Sequence, residues 1–550
     1  MTVLDRYPTE VGRWIAADVF TTVDAELVRT LFERAGEPSA PAFAWLMAGL
    51  TLRAYRDGHS RLDLDNDSLL SWRPGPGVPW PGDRAAVEEV LAGLPSVFGT
   101  AVDLTRVPRT PFVMDREGLY IAEVLHQESE IARLLTRDGG GRVRTILGGP
   151  GTGKTYTIAQ MLRTLEEPVP RLALCAPTGK ASRHLKTVLD RQLREKGASA
   201  GVLAALDNAP SMTVHRLLGY NPDRSPRWGS GPGRPLDFKL VIVDEASMVS
   251  LSLMHRLLAS LDDDAMVWIV GDPDQLVSVD AGSVLADIER AASDQKCVLH
   301  AGRVRLTEQH RFAADSGIAA LASAVREGDT DEVRRILESG ADDLVWIDPV
   351  QDTDRMKALT ADVVAHARLV AASAADGQVS AALATKSALQ VLSATRVGAL
   401  GVDSWNELVE RELGPATSAR NYVGRPVLIT RNDPVTGLSN GDVGVVCEAD
   451  GTVRAWFGDP QAPVDVSMAR LPDTSTVHAL TIHKSQGSEY DHAIVVIPSG
   501  ESRILTRELL YTGITRPRTK LTLVATWASI ETAVETQVRR ATGLEMRLAD

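Results

Sequence analysis

Cysteine is scarce, with three in 550 residues. Cys175, Cys297 and Cys447 each stand alone, which excludes a C-x-x-C metal or iron–sulfur spacing and leaves buried free thiols in a reducing cytoplasm as the expectation. Long apolar runs are missing too. No stretch of 18 apolar residues occurs, and the opening MTVLDRYPTEVGRW lacks a charged segment followed by an apolar core. Neither a membrane span nor a secretory signal is supported, so a cytoplasmic protein is expected. Positive charge is in deficit, 59 Lys and Arg against 72 Asp and Glu, for a net charge of −13. That argues against a globally basic protein that coats nucleic acid, while leaving room for a local basic channel. The chain shows no internal repeat, no long low-complexity segment and no carboxylate cluster with nuclease spacing. What remains, 44% hydrophobic and 24% charged residues, suits a globular chain of three or four domains.

Against that plain background, Gly148 to Thr155 reads GGPGTGKT between the strand-like Val143–Leu147 and a helical run carrying Ile158, Met161, Leu162 and Leu165. The form G-x-x-x-x-G-K-[ST] is a phosphate-binding loop. Backbone N–H groups of Gly148, Gly149, Pro150, Gly151, Thr152 and Gly153 (the proline excepted) curl around phosphates, Lys154 adds a point charge, and the Thr155 hydroxyl ligates Mg²⁺. Glycine is needed where the backbone must approach an anion closely. The following helix directs its N-terminus at that anion. A nucleoside triphosphate is the expected ligand.

Further along, LVIVDEA is an apolar strand ending in two carboxylates. Asp244 is assigned to Mg²⁺ and Glu245 to orienting and deprotonating the attacking water, although strands do end in solvated acids. In GDPDQL, the Gln275 amide can both donate and accept, which suits sensing a phosphate or a water; a plain turn would read the same way. Arg311 in LTEQHRF and Arg516 in YTGITRPR are candidates for neutralising a transferred phosphoryl group, against the commoner fate of a surface ion pair. Three polar segments following strands carry the groups that grip a sugar–phosphate backbone: Thr178 and Lys180, Thr213 and His215, and Thr481, His483, Ser485 and Gln486. Each could equally be an ordinary strand-to-helix cap.

Strands alternating with helices from residue 143 onward argue for parallel sheets covered on both faces. Residues 1 to about 112 read as mainly helical. Asn221–Leu236 (NPDRSPRWGSGPGRPL) reads as an exposed insertion, and 420–472, dense in turn signals, as a small inserted β-barrel.

Taken in order, GGPGTGKT, APTGKAS, VIVDEASM, GDPDQL, LTEQHRF, LTIHKSQGSEYD and LYTGITRPR resemble the motif series of superfamily 1 DNA helicases, from about 145 to 526. DEASMVSLSLMHRLL, GDPDQLVSVDAGSVLADI and QVLSATRVGALGV resemble the RecD branch, the alpha subunit of exodeoxyribonuclease V. The resemblance implies an α/β fold with two RecA-like P-loop domains, an N-terminal helical domain (1–112) for partner docking, and an inserted SH3-like 2B barrel (420–472). Domain 1A would span 113–312, with a 1B-type insertion near 221–236, and domain 2A would span 313–419 and 473–550. It also implies ATP and Mg²⁺ as cofactors, Arg516 as an arginine finger, and Gln127 in the adenine contact. Translocation on single-stranded DNA would run 5′→3′, in a heterotrimer with RecB-like and RecC-like subunits at double-strand ends in recombinational repair. The alternatives are a stand-alone helicase of this type and an ATP-gated DNA-binding scaffold with little unwinding.

Overall fold

The computed structural model describes residues 7–549 except 76, 82, 102, 117, 222, 223, 226, 232, 314, 415, 416, 418–420, 434, 472 and 501. The expected junction at 419/420, Pro434 and four positions of the 221–236 insertion lie outside the described residues.

Two parallel sheets organise the chain. The first runs in the order Arg303–Leu306, Val143–Gly148, Met266–Gly271, Leu240–Val243, Leu172–Ala176, Ser211–Thr213, with every pairing parallel. Its central strands are apolar without alternation because both faces are covered. Val143, Leu147, Val241 and Ile269 face one cluster, while Ile146, Leu174, Ile242 and Trp268 face another with Ile158 and Leu162. The second sheet runs Leu344–Ile347, Pro517–Val524, Tyr490–Val496, Leu389–Ser393, Ala479–Thr481, again all parallel. The helix Thr353–Ala375 has the length and hydropathy of a membrane span. It lies on this second sheet, with Leu359, Val363, Val364 and Ala367 in the core.

Between the helix Val402–Leu413 and the strand Ala479–Thr481 the chain builds a five-stranded antiparallel sheet, ordered Ala462–Ser467, Thr452–Asp459, Val443–Ala449, Pro426–Ile429, Thr474–Thr476. Val427, Ile429, Val446 and Phe457 form its own core. Val445 and Cys447, on the opposite face, pack on Val370, Ala374, Ala382 and Leu383 of the second unit. No pairing joins the first and last strands among the described residues.

The N-terminal region adds a small sheet to its helices. Helices Thr9–Ala16, Thr22–Arg34, Ala42–Arg56, Asn66–Ser71 and Arg84–Ala92 are joined by a four-stranded sheet of Arg61–Asp63, Gly118–Ile121, Phe112–Asp115 and Phe98–Thr100. The strand Phe112–Asp115 spans the expected boundary at 112/113, and the next helix starts at Ala122, after the strand Gly118–Ile121. The C-terminal segment returns to this region. Glu128, fully buried, accepts from the Ser60 hydroxyl at 2.5 Å and the Gly543 N–H at 3.1 Å, with Arg547 3.6 Å away. One carboxylate thus ties the N-terminal sheet, the first unit and the C-terminal strap together.

Where the inserted sheet meets the second unit, Lys386 is 6% exposed and donates to the Gln390 side-chain oxygen. A cavity of about 20 Å³ separates it from His366 and His478. Burial brings Lys386 down to about 7 from 10.5. Between those values the unfolded chain holds a proton that the folded chain lacks, so stability rises with pH. Urea unfolding from about pH 7 to 9 is expected to show wild type gaining up to about 1.4 kcal/mol per pH unit relative to Lys386→Met. Curves that stay parallel would contradict a neutral buried lysine.

Candidate nucleotide site and the lobe boundary

In a parallel sheet the loops after the strands gather at one edge, and Gly148, Asp244 and Asp272 all sit there. The strand Val143–Gly148 ends in the loop, and Lys154 and Thr155 open the helix Lys154–Arg163. Gly151 and Gly153 have φ of +78° and +85°, conformations that favour glycine. A Cβ on Gly148 would lie 2.5 Å from the Thr152 hydroxyl and 2.8 Å from the Leu306 carbonyl, so the first glycine is required by packing. The Thr152 hydroxyl donates to the Gly149 carbonyl at 2.8 Å and braces the turn. Lys154 donates its ammonium protons to the carbonyls of Gly148 and Gly149, at 2.7 and 3.1 Å. Its charge is therefore folded back onto the loop it serves.

Asp244 follows the strand Leu240–Val243, and its N–H donates to the Cys175 carbonyl at 2.9 Å. Burial, and then the neighbouring Glu245, push its carboxyl upward, with Lys154 opposing. Glu245 has φ 50° and ψ 42°, left-handed for a residue with a side chain, a strain that chains hold at functional sites. Gln275 is 3% exposed; its amide donates to Asp272 at 3.0 Å while its carbonyl oxygen has no partner among the described residues. Burial raises the Asp272 carboxyl, and Lys154 again opposes. Lys154, Asp244, Glu245 and the Asp272–Gln275 pair thus share one electrostatic neighbourhood.

The segment that follows the first sheet covers the loop and is held from the second unit. The His310 N–H donates to the Gly151 carbonyl at 2.9 Å, and the Arg311 Cβ occupies the space where a side chain on Gly151 would go. The Arg311 guanidinium pairs with Glu489 and donates to the Thr515 carbonyl at 3.3 Å. Arg516, 3% exposed, donates to the Thr512 carbonyl at 2.8 Å and the Ser488 carbonyl at 3.4 Å. It does not touch the loop, but its charge acts on both Arg311 and Glu489. Burial alone would raise the Glu489 carboxyl; Arg311, then Arg518 and Arg516, outweigh it and hold Glu489 below the ordinary carboxylate range. Tyr511 is 2% exposed, burial and then the charge of Asp272 raise its phenol, and its hydroxyl lies 2.8 Å from where a Gly149 Cβ would be. Arg326 lines a cavity of about 80 Å³ with Thr152, Gln309 and Tyr511 beside it.

The sequence assigns eight residues to gripping a strand, and the structure spends several of them elsewhere. Lys180 donates to the Ser488 hydroxyl at 2.8 Å, across the boundary between the units, and burial lowers its ammonium. The Gln486 amide donates to the Leu276 carbonyl at 3.2 Å, also across the boundary. Thr178, Thr213 and Thr481 cap the turns that follow them, accepting from the N–H groups of Ala181, Arg216 and Lys484. The Ser485 hydroxyl is buried and donates to Ile482. His215 stands exposed against Tyr220 and Trp228, at ring distances of 5.6 and 5.9 Å, so the insertion returns an indole to this histidine. Burial lowers the half-exposed His483. Gln127 is not brought to the loop by any hydrogen bond among the described residues. Its amide donates to Glu123 at 3.1 Å on its own helix, Ala122–Thr136, which packs on Leu251–Ala259 and Leu544–Ala549. The adenine assignment of Gln127 therefore has no support in this geometry.

Comparison with known proteins agrees with this arrangement. A family profile described as "AAA domain" matches residues 126–342, and one described as "UvrD-like helicase C-terminal domain" matches 476–524. The "RecBCD enzyme subunit RecD" of Mycolicibacterium smegmatis is 37% identical over 97% of this chain and 98% of its own length. The chain belongs to the RecD family. The subunit of the same name from Mycobacterium tuberculosis is 40% identical over 74% of this chain and 70% of its own. The "ATP-dependent RecD2 DNA helicase" of Deinococcus radiodurans is 30% identical over 79% of this chain and 52% of its own. This RecD-family chain is accordingly an ATP-dependent DNA helicase of the RecD type.

Sequence reasoning missed four residues of the RecD site: Glu489, Tyr511, Thr512 and Arg326. Glu489, Tyr511 and Thr512 lie inside recognisable motifs and Arg326 on the helix Gly317–Glu327, yet nothing in their chemistry marks them until the partner unit is present. The Thr512 hydroxyl accepts the Leu276 N–H at 3.0 Å, deep between the units. Thr512→Val would leave that N–H unpaired, and denaturant unfolding is expected to show a loss of about 1–3 kcal/mol. An unchanged stability would mean that this bond does not hold the units together.

Proposed function

We propose that the chain is a 5′→3′ translocase on single-stranded DNA, driven by ATP hydrolysis between its two parallel-sheet units. It would serve as the RecD-like subunit of an exodeoxyribonuclease V complex, beside RecB-like and RecC-like partners, at double-strand ends in recombinational repair. The observation that carries this reading is the seating of Arg311, from the motif that follows the first sheet, directly over Gly151 while its guanidinium is held by Glu489 of the second unit. A triphosphate in the loop would compete with Glu489 for that guanidinium, because phosphate and carboxylate take the same bidentate contact. The extent of the match to the mycobacterial subunit, against about half the length of the RecD2 helicase, favours the subunit reading over a stand-alone helicase. The inserted antiparallel sheet is read as an SH3-like 2B domain, and its Asp442 and Ser439 meet Arg183 of the first unit at 2.6 and 3.1 Å.

Lys154, Arg311 and Arg516 would neutralise the phosphates, with Arg516 closing the last distance as the units draw together. Glu245 would take the proton of the attacking water. Among the described residues no group of three or more His, Cys, Asp or Glu is placed to hold a metal ion. A magnesium ion carried in on phosphates needs only one or two protein oxygens. Thr155 and Asp244 fit that demand and would hold Mg²⁺, which would supply positive charge against the phosphates. Hydrolysis would return Arg311 to Glu489, next to Ser488 and Gln486, which join the first unit through Lys180 and Leu276. Loss of the γ-phosphate is thereby relayed to the surfaces that hold DNA.

Two measurements decide this reading. Lys154→Ala and Arg516→Ala are each expected to lower DNA-stimulated ATPase by about 10³-fold or more; retention of activity in either would refute the site. The protein with its partners should unwind 5′-tailed and not 3′-tailed duplexes, and the reverse preference would refute the polarity.

A further inference from the structure

A cavity of about 920 Å³ lies outside the nucleotide site, where the N-terminal region, the loop before the helix Arg507–Ile514 and the C-terminal strap converge. Its volume falls in the range of ligand clefts, about 300–1,000 Å³. Six arginines and three aspartates line it, on a protein whose net charge is −13. The floor is already paired. Arg61 lies 2.6 Å from Asp63, Arg53 lies 3.4 Å from Asp57, and Arg540 donates to the carbonyls of Ser278, Asp280 and Gly282 at 2.7 Å each. The rim is not paired. Arg73, Arg503 and Arg539 are exposed, and no hydrogen bond or ion pair holds them among the described residues. Trp72, half-exposed, has the Arg53 guanidinium 5.2 Å from its ring and His59 edge-on at 5.9 Å.

We propose that this basin is a second binding site for single-stranded DNA, in which Arg73, Arg503 and Arg539 hold successive backbone phosphates. Uncompensated guanidiniums gathered in a concave, open site suit a flexible polyanion, and an aromatic ring among them suits a base. The three rim arginines come from three separate parts of the chain. Arg73 follows a helix of the N-terminal region, Arg503 belongs to the second unit, and Arg539 sits on the strap whose Ala541 N–H donates to His59 at 2.9 Å. A strand lying across them keeps its hold when the surfaces beside the nucleotide site let go, which lengthens the time on DNA. The inference rests on single-stranded DNA being the track. It does not rest on ATP chemistry.

The test uses the full chain carrying Arg73→Glu, Arg503→Glu and Arg539→Glu together. Among the described residues these side chains have no partners to lose, and an unchanged thermal midpoint checks the fold. Affinity for an oligothymidylate of about 40 nucleotides should fall by about tenfold or more, while a strand of about 8 nucleotides binds as in wild type. The slope of log affinity against log salt should become shallower by about 2, for three phosphates at about 0.7 each. Lys154→Ala should leave the long-strand affinity intact, which separates failure of this site from failure of the motor assignment. Equal affinity and slope in wild type and the triple variant would overturn the proposal. So would loss of a co-purifying acidic protein with DNA binding unchanged, which would make the basin a protein-docking surface.

Discussion

The ion pair between Arg311 and Glu489 is the contact on which the arrangement turns. Arg311 belongs to the segment that covers the phosphate loop, and Glu489 closes the polar run that ends at the strand beginning with Tyr490. Glu489 is crowded by Arg311, Arg516 and Arg518, so its charge is fixed and its partners are in surplus. A site with more guanidinium than carboxylate is prepared for an additional anion. In the proposed cycle that anion is the triphosphate, and its arrival redistributes contacts that already exist.

The folding of the chain makes this possible. Two parallel sheets each push their loops to one edge, and the units meet edge to edge with few but buried polar contacts: Leu276 to Thr512, Gln486 to Leu276, Lys180 to Ser488. Buried hydrogen bonds are costly to break singly and cheap to exchange, which suits a boundary with two arrangements. The strap that pins Glu128 and the docking of the inserted sheet on Val370, Ala374 and Leu383 keep the remaining parts in register.

Much of this was legible in the sequence, and the limits have physical causes. The apolar strands at 143–148, 172–176, 240–243 and 389–393, inside their sheets, announce themselves because both faces are buried. Ser211–Thr213, Arg303–Leu306, Leu344–Ile347 and Ala479–Thr481 do not, being three- or four-residue strands at sheet edges. The N-terminal sheet was hidden for the same reason, its strands being only three or four residues long. The phosphate loop and its acids could be read from local chemistry alone. The roles of Lys180 and Gln486 could not, since a polar side chain after a strand looks the same whether it faces solvent or another unit. Nor could a role for Gln127, since helical spacing places it beside Glu123 as readily as beside a base.

The most direct test is the thermodynamic coupling between the two ligands. The affinity for a non-hydrolysable ATP analogue should be measured with and without saturating single-stranded DNA, in wild type and in Glu489→Gln. Wild type should show a coupling factor of about 5–150, and the variant, whose Arg311 no longer has to be won from a carboxylate, a factor near one. An undiminished coupling in Glu489→Gln would show that the signal between loop and strand takes another route.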